Sequence, residues 1–234
     1  MIQQYRFLAE FLRCLADQLP RRGDRITAHF RIEVSARSRS AQRANGDRCM
    51  AFPGPGCKYY VLLCDGMGTG VGAAEDGNST AELLRQMLAA GFPPEHAFRS
   101  VNSLLALKGQ AGAATLDLAE VRLDSGRISL YKWGAAPSWI ARGGTWEKIG
   151  TAGPPPGLGL NRGLERAGKL NLSRGEALIL ASDGLDGEDF PGNAGSPDRA
   201  AGELAAHLLE AGAGKSADDA TVAVVRLHRS DLLT

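Results

Sequence analysis

Within the sequence, the stretch YYVLLCDGMGTGVG, residues 59–72, admits few folds. Tyr60 to Cys64 form an apolar run of the kind found in a strand covered on both faces. The run ends on a carboxylate, Asp65. Glycines at 66, 68, 70 and 72 then leave the backbone free of Cβ atoms, able to turn sharply and to approach a ligand closely. An isolated Asp-Gly is a common turn dipeptide, and a capping aspartate would explain it without any function. The stretch gains meaning only if further acids arrive in the same way.

Two more do. Ala177 to Ala181 (ALILA) is a second buried apolar strand running into Ser182-Asp183-Gly184, and Ser216-Ala217-Asp218-Asp219-Ala220 leads into the apolar strand Thr221 to Val225. Asp47 opens a weaker strand, Gly46 to Phe52, just ahead of the first stretch. Acids at the ends of buried strands can gather on one edge, where they cannot all stay ionised unless a cation neutralises them. Carboxylates, a glycine carbonyl and water suit a hard divalent ion, Mg²⁺ or Mn²⁺. Zinc or copper would call for His and Cys, yet no pair among His29, His96, His207 and His228 has ligand spacing. Cys14, Cys49, Cys57 and Cys64 contain no C-x-x-C and read as reduced thiols of a cytosolic protein.

The rest of the chain supplies a frame for these strand ends. Tyr5, Leu8, Leu12, Leu15 and Leu19 recur at spacings of three and four, which predicts an N-terminal helix with a narrow apolar stripe suited to a helical partner. Pro20 and Gly23 stop it, so a helical segment, residues 1–22, precedes a body, residues 23–234. Alternation from Ile26 to Val34 predicts a half-buried strand, and Arg37 to Arg43 a basic loop. Helices are expected from Val71 to Ala90 and from Pro94 to about Leu107. Hairpins follow at 114–133 and 138–149, then a Pro-rich loop from Gly153 to Gly159. Strands near Arg166 to Leu172 and at 177–181, a helix from Asp198 to Ala211 and a last strand, Thr221 to Leu227, complete the chain. Antiparallel strand runs with helices grouped between them argue α+β rather than alternating βαβ units. Lys and Arg total 27 against 26 Asp and Glu, a net charge of +1 that gives no reason to expect nucleic acid. No apolar run approaches the roughly 20 residues of a membrane span, so no membrane contact is expected of this chain itself.

The set CDGMGTG, ASDG and DDAT, in this order and at strand ends, resembles the metal-dependent type 2C-like Ser/Thr protein phosphatases (the PPM superfamily), in particular the bacterial branch of stage II sporulation protein E. Asn45-Gly46-Asp47, ATLDLAEVRLDSG (114–126) and GAAPSWIAR (134–142) extend the likeness over about residues 45 to 227. The resemblance implies an αββα sandwich: two central antiparallel sheets flanked by helices, here with an extra N-terminal helix. It implies that Asp65 bridges two Mn²⁺ or Mg²⁺ ions, that Gly66 offers its carbonyl to one, and that Asp183 and Asp218 hold the other. Asp219 stands where many relatives have Asn and is the alternative to Asp218, whereas Asp47 would act through water. No residue matches the phosphate-gripping Arg of eukaryotic relatives. Uncatalysed phosphate-monoester hydrolysis is slow enough that enzymes accelerate it up to ~10²¹-fold. Two cations would acidify water and clamp the developing charge, allowing in-line attack on a phosphoserine without a covalent enzyme intermediate. The implied substrate is a phosphorylated anti-sigma-factor antagonist in sporulation. The striped N-terminal helix would either pack on the body of its own chain or pair with a second copy as a homodimer, and the resemblance, which implies a regulatory switch in such helices, points to the second. It also implies that this chain is the soluble part of a longer membrane-anchored protein.

Two rival readings are testable against the fold. Gly68-x-Gly70-x-x-Ala73, after a strand and before a helix, also matches a dinucleotide-binding fingerprint, which requires a parallel strand next. A non-catalytic binding module with a decayed phosphatase fold would normally have lost a metal ligand, yet Asp65, Asp183 and Asp218 are all present.

Overall fold

The computed structural model describes residues 9, 12, 27–41, 45–66, 71–107, 109, 114–150, 166–185, 199–212 and 218–230. Ten strands and three helices are defined there: β1 (Phe30–Arg39), β2 (Asp47–Gly54), β3 (Lys58–Gly66), α1 (Val71–Ala89), α2 (Pro94–Leu107), β4 (Ala114–Arg122), β5 (Arg127–Trp133), β6 (Ser138–Arg142), β7 (Thr145–Ile149), β8 (Arg166–Asn171), β9 (Ala177–Ala181), α3 (Ala201–Gly212) and β10 (Ala220–Arg229). One sheet has the order β1-β10-β9-β6-β7 and the other β2-β3-β4-β5-β8. Every strand pair in both is antiparallel. β3 therefore lies between two antiparallel neighbours and α1 leads to α2 rather than to a parallel strand. This excludes the dinucleotide-binding unit.

Strand alternation sorts the apolar residues into three layers. Tyr60, Leu62 and Cys64 of β3 pack with Leu84 and Leu88 of α1 and Phe98 of α2. Val61 and Leu63 point the other way and meet Ile140, Leu178, Leu180, Ala223 and Val225 of the opposing sheet. On that sheet's outer side, Ile179, Val222 and Val224 are covered by Leu204, Ala205 and Leu208 of α3. The result is the expected αββα sandwich, and a β3 buried on both faces is its necessary consequence.

The element boundaries differ from the sequence reading in one instructive place. β1 begins at Phe30 rather than Ile26 and runs on to Arg39, through residues read as a basic loop. Ala36 to Arg39 are exposed and carry no apolar alternation, but each pairs with a residue of β10, from Ala223 to Ala220. Ladder hydrogen bonds, to which hydropathy is blind, extend this strand. α3 begins at Ala201, with Asp198 outside the described residues. The N-terminal helix, the Pro-rich loop and most of the glycine rim also lie outside them. Ala9 and Leu12 are described: both are helical and exposed, Leu12 at 55%.

One polar cluster is enclosed between the sheets. Lys132 of β5 bonds the Asp117 carboxylate of β4, its partner in register, and also Ser138 Oγ of β6 at 2.8 Å. Ser138 in turn donates to Asp117 at 2.8 Å. The Lys132 and Asp117 side chains are each 1% exposed. Removing one partner of a buried pair leaves the other charge unpaired, at about 3–5 kcal/mol, whereas replacing both by apolar residues is often neutral. Lys132→Met should therefore lower unfolding free energy in urea by about that amount, and adding Asp117→Leu should recover most of the loss. A single variant with wild-type stability would contradict this account of the pair.

Candidate metal centre

The inner strand faces carry the site. On β3 the series Val61, Leu63, Asp65 continues the inter-sheet face outward, so the carboxylate is the last step of a core row. Asp47 opens β2 directly opposite Asp65 in register. Like charges at facing positions repel, and both side chains are half-buried. Burial is the largest cause holding the Asp65 carboxyl up at about 8, followed by the charges of Asp47, Asp183 and Asp218 and a hydrogen bond with Asp183. Asp47 is also raised, by burial and by Asp219 and Asp183, against the opposing effect of hydrogen bonds from Ser182 and Thr221. Asp183 stands exposed at the start of a 3-10 turn, Asp183–Leu185, just beyond β9. Asp218 is half-buried on the approach to β10.

The fold thus brings Asp47, Asp65, Asp183 and Asp218 together from four strand ends, those of β2, β3, β9 and β10. Asp219 is placed differently. Its carboxylate is buried and accepts from the backbone N–H groups of Ala41 at 2.7 Å and Gly46 at 2.6 Å, and from Ser40 Oγ at 3.3 Å. It ties the end of β1 to the start of β2, a structural task that leaves Asp218 as the acid adjoining Asp65. Asp218 meanwhile accepts from the Asp219 N–H at 2.8 Å.

Two residues that hydropathy did not single out hold Asp47. Ser182 Oγ donates to Asp47 Oδ2 at 2.7 Å while accepting from the Thr221 N–H at 2.8 Å. Strand parity could have found Ser182, because it continues the inward series Leu178, Leu180. Close backbone approach completes the frame. A Cβ on Gly77 of α1 would lie 2.7 Å from the Gly46 carbonyl oxygen and 3.3 Å from Gly66 Cα, and one on Gly184 would lie 2.0 Å from the Asp219 carbonyl oxygen. The 2.7 and 2.0 Å approaches to backbone oxygens leave no room for a side chain, so both glycines are required for the site strands to pack as they do.

The donor set fits a hard cation. Asp47 Oδ1 is buried and lacks a hydrogen-bond partner, and every charge that shifts Asp65 is another carboxylate. Among the described residues no three His, Cys, Asp or Glu side chains are already gathered as a ligand cage. The strand ends deliver the acids to one place without closing them on one point. Thiol chemistry is disfavoured by the same burial, which pushes Cys49 up to about 12 and Cys64 further still.

A family model described as stage II sporulation protein E matches residues 55–228. Stage II sporulation protein E of Bacillus subtilis (strain 168) is 29% identical over 188 residues, covering 74% of this chain and 23% of that protein. The chain therefore corresponds to about a quarter of that relative's length. The solved PP2C phosphatase domain with a fragment of the regulatory domain of the B. subtilis protein superposes with a TM-score of 0.78 at 27% identity, covering 88% of this chain and 64% of that one. The catalytic domain of the serine/threonine protein phosphatase PstP, solved in complex with two manganese ions, shares the fold at a TM-score of 0.62 and 17% identity, covering 85% of this chain and 99% of that one.

The crowded acids set a pH dependence. Between the unfolded value near 3.8 and the folded value of about 8, the folded protein holds a proton on Asp65 that the unfolded chain has released. The folded state binds more protons there, so stability of the metal-free protein falls as pH rises across that window. Urea melts in EDTA should show lower stability at pH 8 than at pH 5.5. Asp65→Asn should flatten the trend and raise stability at pH 8, on the order of 1–3 kcal/mol. An unaltered slope in the variant would refute the assignment.

Proposed function

The chain belongs to the stage II sporulation protein E family, and on that premise we propose that it is a metal-dependent protein-serine/threonine phosphatase domain. Its substrate in this reading is a phosphoserine on a regulatory protein, an anti-sigma-factor antagonist in sporulation control. The observation that carries the reading is the convergence of Asp47, Asp65, Asp183 and Asp218 at one edge of the sandwich.

Asp65, the Gly66 carbonyl, Asp183 and Asp218 would hold two Mn²⁺ or Mg²⁺ ions, with Asp47 acting through water. The manganese-bound relative supports this by analogy of fold. When bound, such ions supply water acidified from a pKa of about 15.7 toward ~7 and a clamp for charge developing on the phosphoryl oxygens. The chain's own residues prepare the place. Ser182 and Thr221 fix Asp47, Asp219 fixes the β1–β2 connection, and the two rigid sheets hold the acids at a spacing that does not depend on a single loop. In this reading water attacks phosphorus directly, the bond from phosphorus to the seryl oxygen breaks and serine leaves, and Cys49 and Cys64 are held in their neutral form by burial. Regulation and homodimer formation through the segment 1–22, and membership of a longer membrane-anchored protein, belong to the same reading. Among the described residues no helix is long and apolar enough to cross a membrane.

Hydrolysis of a phosphoserine protein should cease in EDTA and return on addition of Mn²⁺. Asp65→Asn and Asp183→Asn should each lower Mn²⁺-dependent turnover by roughly two orders of magnitude or more, since each takes away a ligand rather than a neighbour of one. Both variants should remain folded by circular dichroism. Full activity in EDTA, or near-normal turnover in either variant, would overturn the metal-dependent reading.

A further inference from the structure

Beside Asp47 the edges of the two sheets stand apart. β1 is the edge strand of one sheet and β2 of the other. Between them opens a cleft of about 370 Å³, with Ala36, Ser38, Asp47 and Thr221 among its lining residues, together with Arg37 and Arg48. The two arginines reach it from different sheets. Arg37 is out of phase with Phe30, Ile32 and Val34, the residues of β1 that face the inter-sheet core. Arg48 alternates with Asp47 on β2. Both are exposed.

The cleft is polar and joined to the candidate centre. Asn45 Nδ2 donates to Ser38 Oγ, which shares a 2.7 Å hydrogen bond with Thr221 Oγ1. The Thr221 N–H donates to Ser182 Oγ, and Ser182 to Asp47. Neither guanidinium is in an ion pair among the described residues. Arg37 donates to the carbonyl of the adjacent Ala36. The acid whose field reaches Arg48, Glu82, is already held by Arg85 through two hydrogen bonds of 2.9 and 2.6 Å. Two cations thus flank a cleft that ends at a carboxylate of the site, and neither is ion-paired with an acid among the described residues. Guanidinium groups recognise carboxylates by paired N–H donors.

We propose that this cleft is a docking groove for the acidic residues flanking the phosphoserine of a protein substrate, with Arg37 and Arg48 pairing with their carboxylates. The identity of the ligand rests on the phosphatase reading. The arginines select the segment, and the aspartates act on the phosphate beside it. This assigns the substrate class as a phosphoserine segment with Asp or Glu nearby, rather than one with basic flanks.

The test is fluorescence anisotropy with four labelled peptides in Mn²⁺. Each carries either serine or a non-hydrolysable phosphonate in its place, flanked by acidic or by neutral residues. Acidic flanks should tighten binding about tenfold whichever central residue is present, as expected for two solvent-exposed pairs. The increment should shrink between low and high salt. It should vanish in the Arg37→Gln/Arg48→Gln double variant and persist in part when both arginines are replaced by lysine, with coincident thermal melts showing that all forms are folded. An increment that survives in the glutamine variant, or an equal affinity of the wild type for acidic and neutral flanks, overturns the proposal. The phosphonate arm reads the phosphatase assignment separately. If the phosphonate adds nothing while the acidic increment behaves as stated, the groove stands and the phosphatase assignment falls.

Discussion

The alternation of side chains along a β-strand places the core and the acids on the same surface. Val61 and Leu63 fill the space between the sheets, and the next inward residue of that row is Asp65. Leu178 and Leu180 do the same from the other sheet, and their row ends on Ser182, which bonds Asp47 at 2.7 Å. The site is therefore the open end of the inter-sheet core rather than a cavity cut into it. A carboxylate at such an end inherits the low polarity of the layer below on one side and the charges of its neighbours on the other. Both effects disfavour ionisation, which is why burial leads the causes that raise Asp65 and Asp47.

A fold that crowds acids in this way needs means of holding them apart from collapse. Here the means are hydrogen bonds from groups that carry no charge. Ser182 and Thr221 satisfy one oxygen of Asp47, while backbone N–H groups satisfy both oxygens of Asp219. What stays unsatisfied is informative. Asp47 Oδ1 is buried with no partner, as is Asp117 Oδ1 deeper between the sheets. The two differ in company. Asp117 has Lys132 as a covalently tethered counter-charge, whereas the charges acting on Asp65 are all negative. The first arrangement is complete within the chain, and the second calls for a cation from solution.

Much of this was legible before any coordinates because the decisive elements are short, buried and bounded by glycine. β9 begins and ends where its apolar run does, and the apolar run of β3 leads straight into Asp65, so the acids at 65 and 183 follow from those limits, while Asp218 precedes the apolar run of β10. Register was legible too, though unused. A turn centred on Asp124-Ser125-Gly126 places Asp117 opposite Lys132, and two opposite charges in otherwise apolar strands could have been paired on that ground alone. The end of β1 was hidden for a physical reason. Ala36 to Arg39 are held by a ladder to β10 and not by burial, so their polar sequence reads as loop. The hold of Asp219 on the β1–β2 connection was hidden because adjacent residues differ only in which way a short, irregular approach to β10 turns them.

The overall charge of +1 conceals a local division that matters more. At the sandwich edge, neighbouring positions on one strand carry opposite charge: Asp47 toward the acids, Arg48 away from them. Because a strand turns each successive side chain to the other face, a one-residue step separates the two signs without any loop to sort them. Arg37 adds a second cation from the other sheet, on a strand whose outer stretch has no apolar face of its own. A ligand with a single negative group would meet either attraction or repulsion at this edge, depending on where it arrived. A ligand with negative groups on both sides of the step can satisfy the arginines directly but can place its second group among the acids only when cations accompany it. On the proposed phosphatase reading, the edge would make occupancy of the centre by metal a condition for seating the whole of such a ligand, and would couple recognition to the ions.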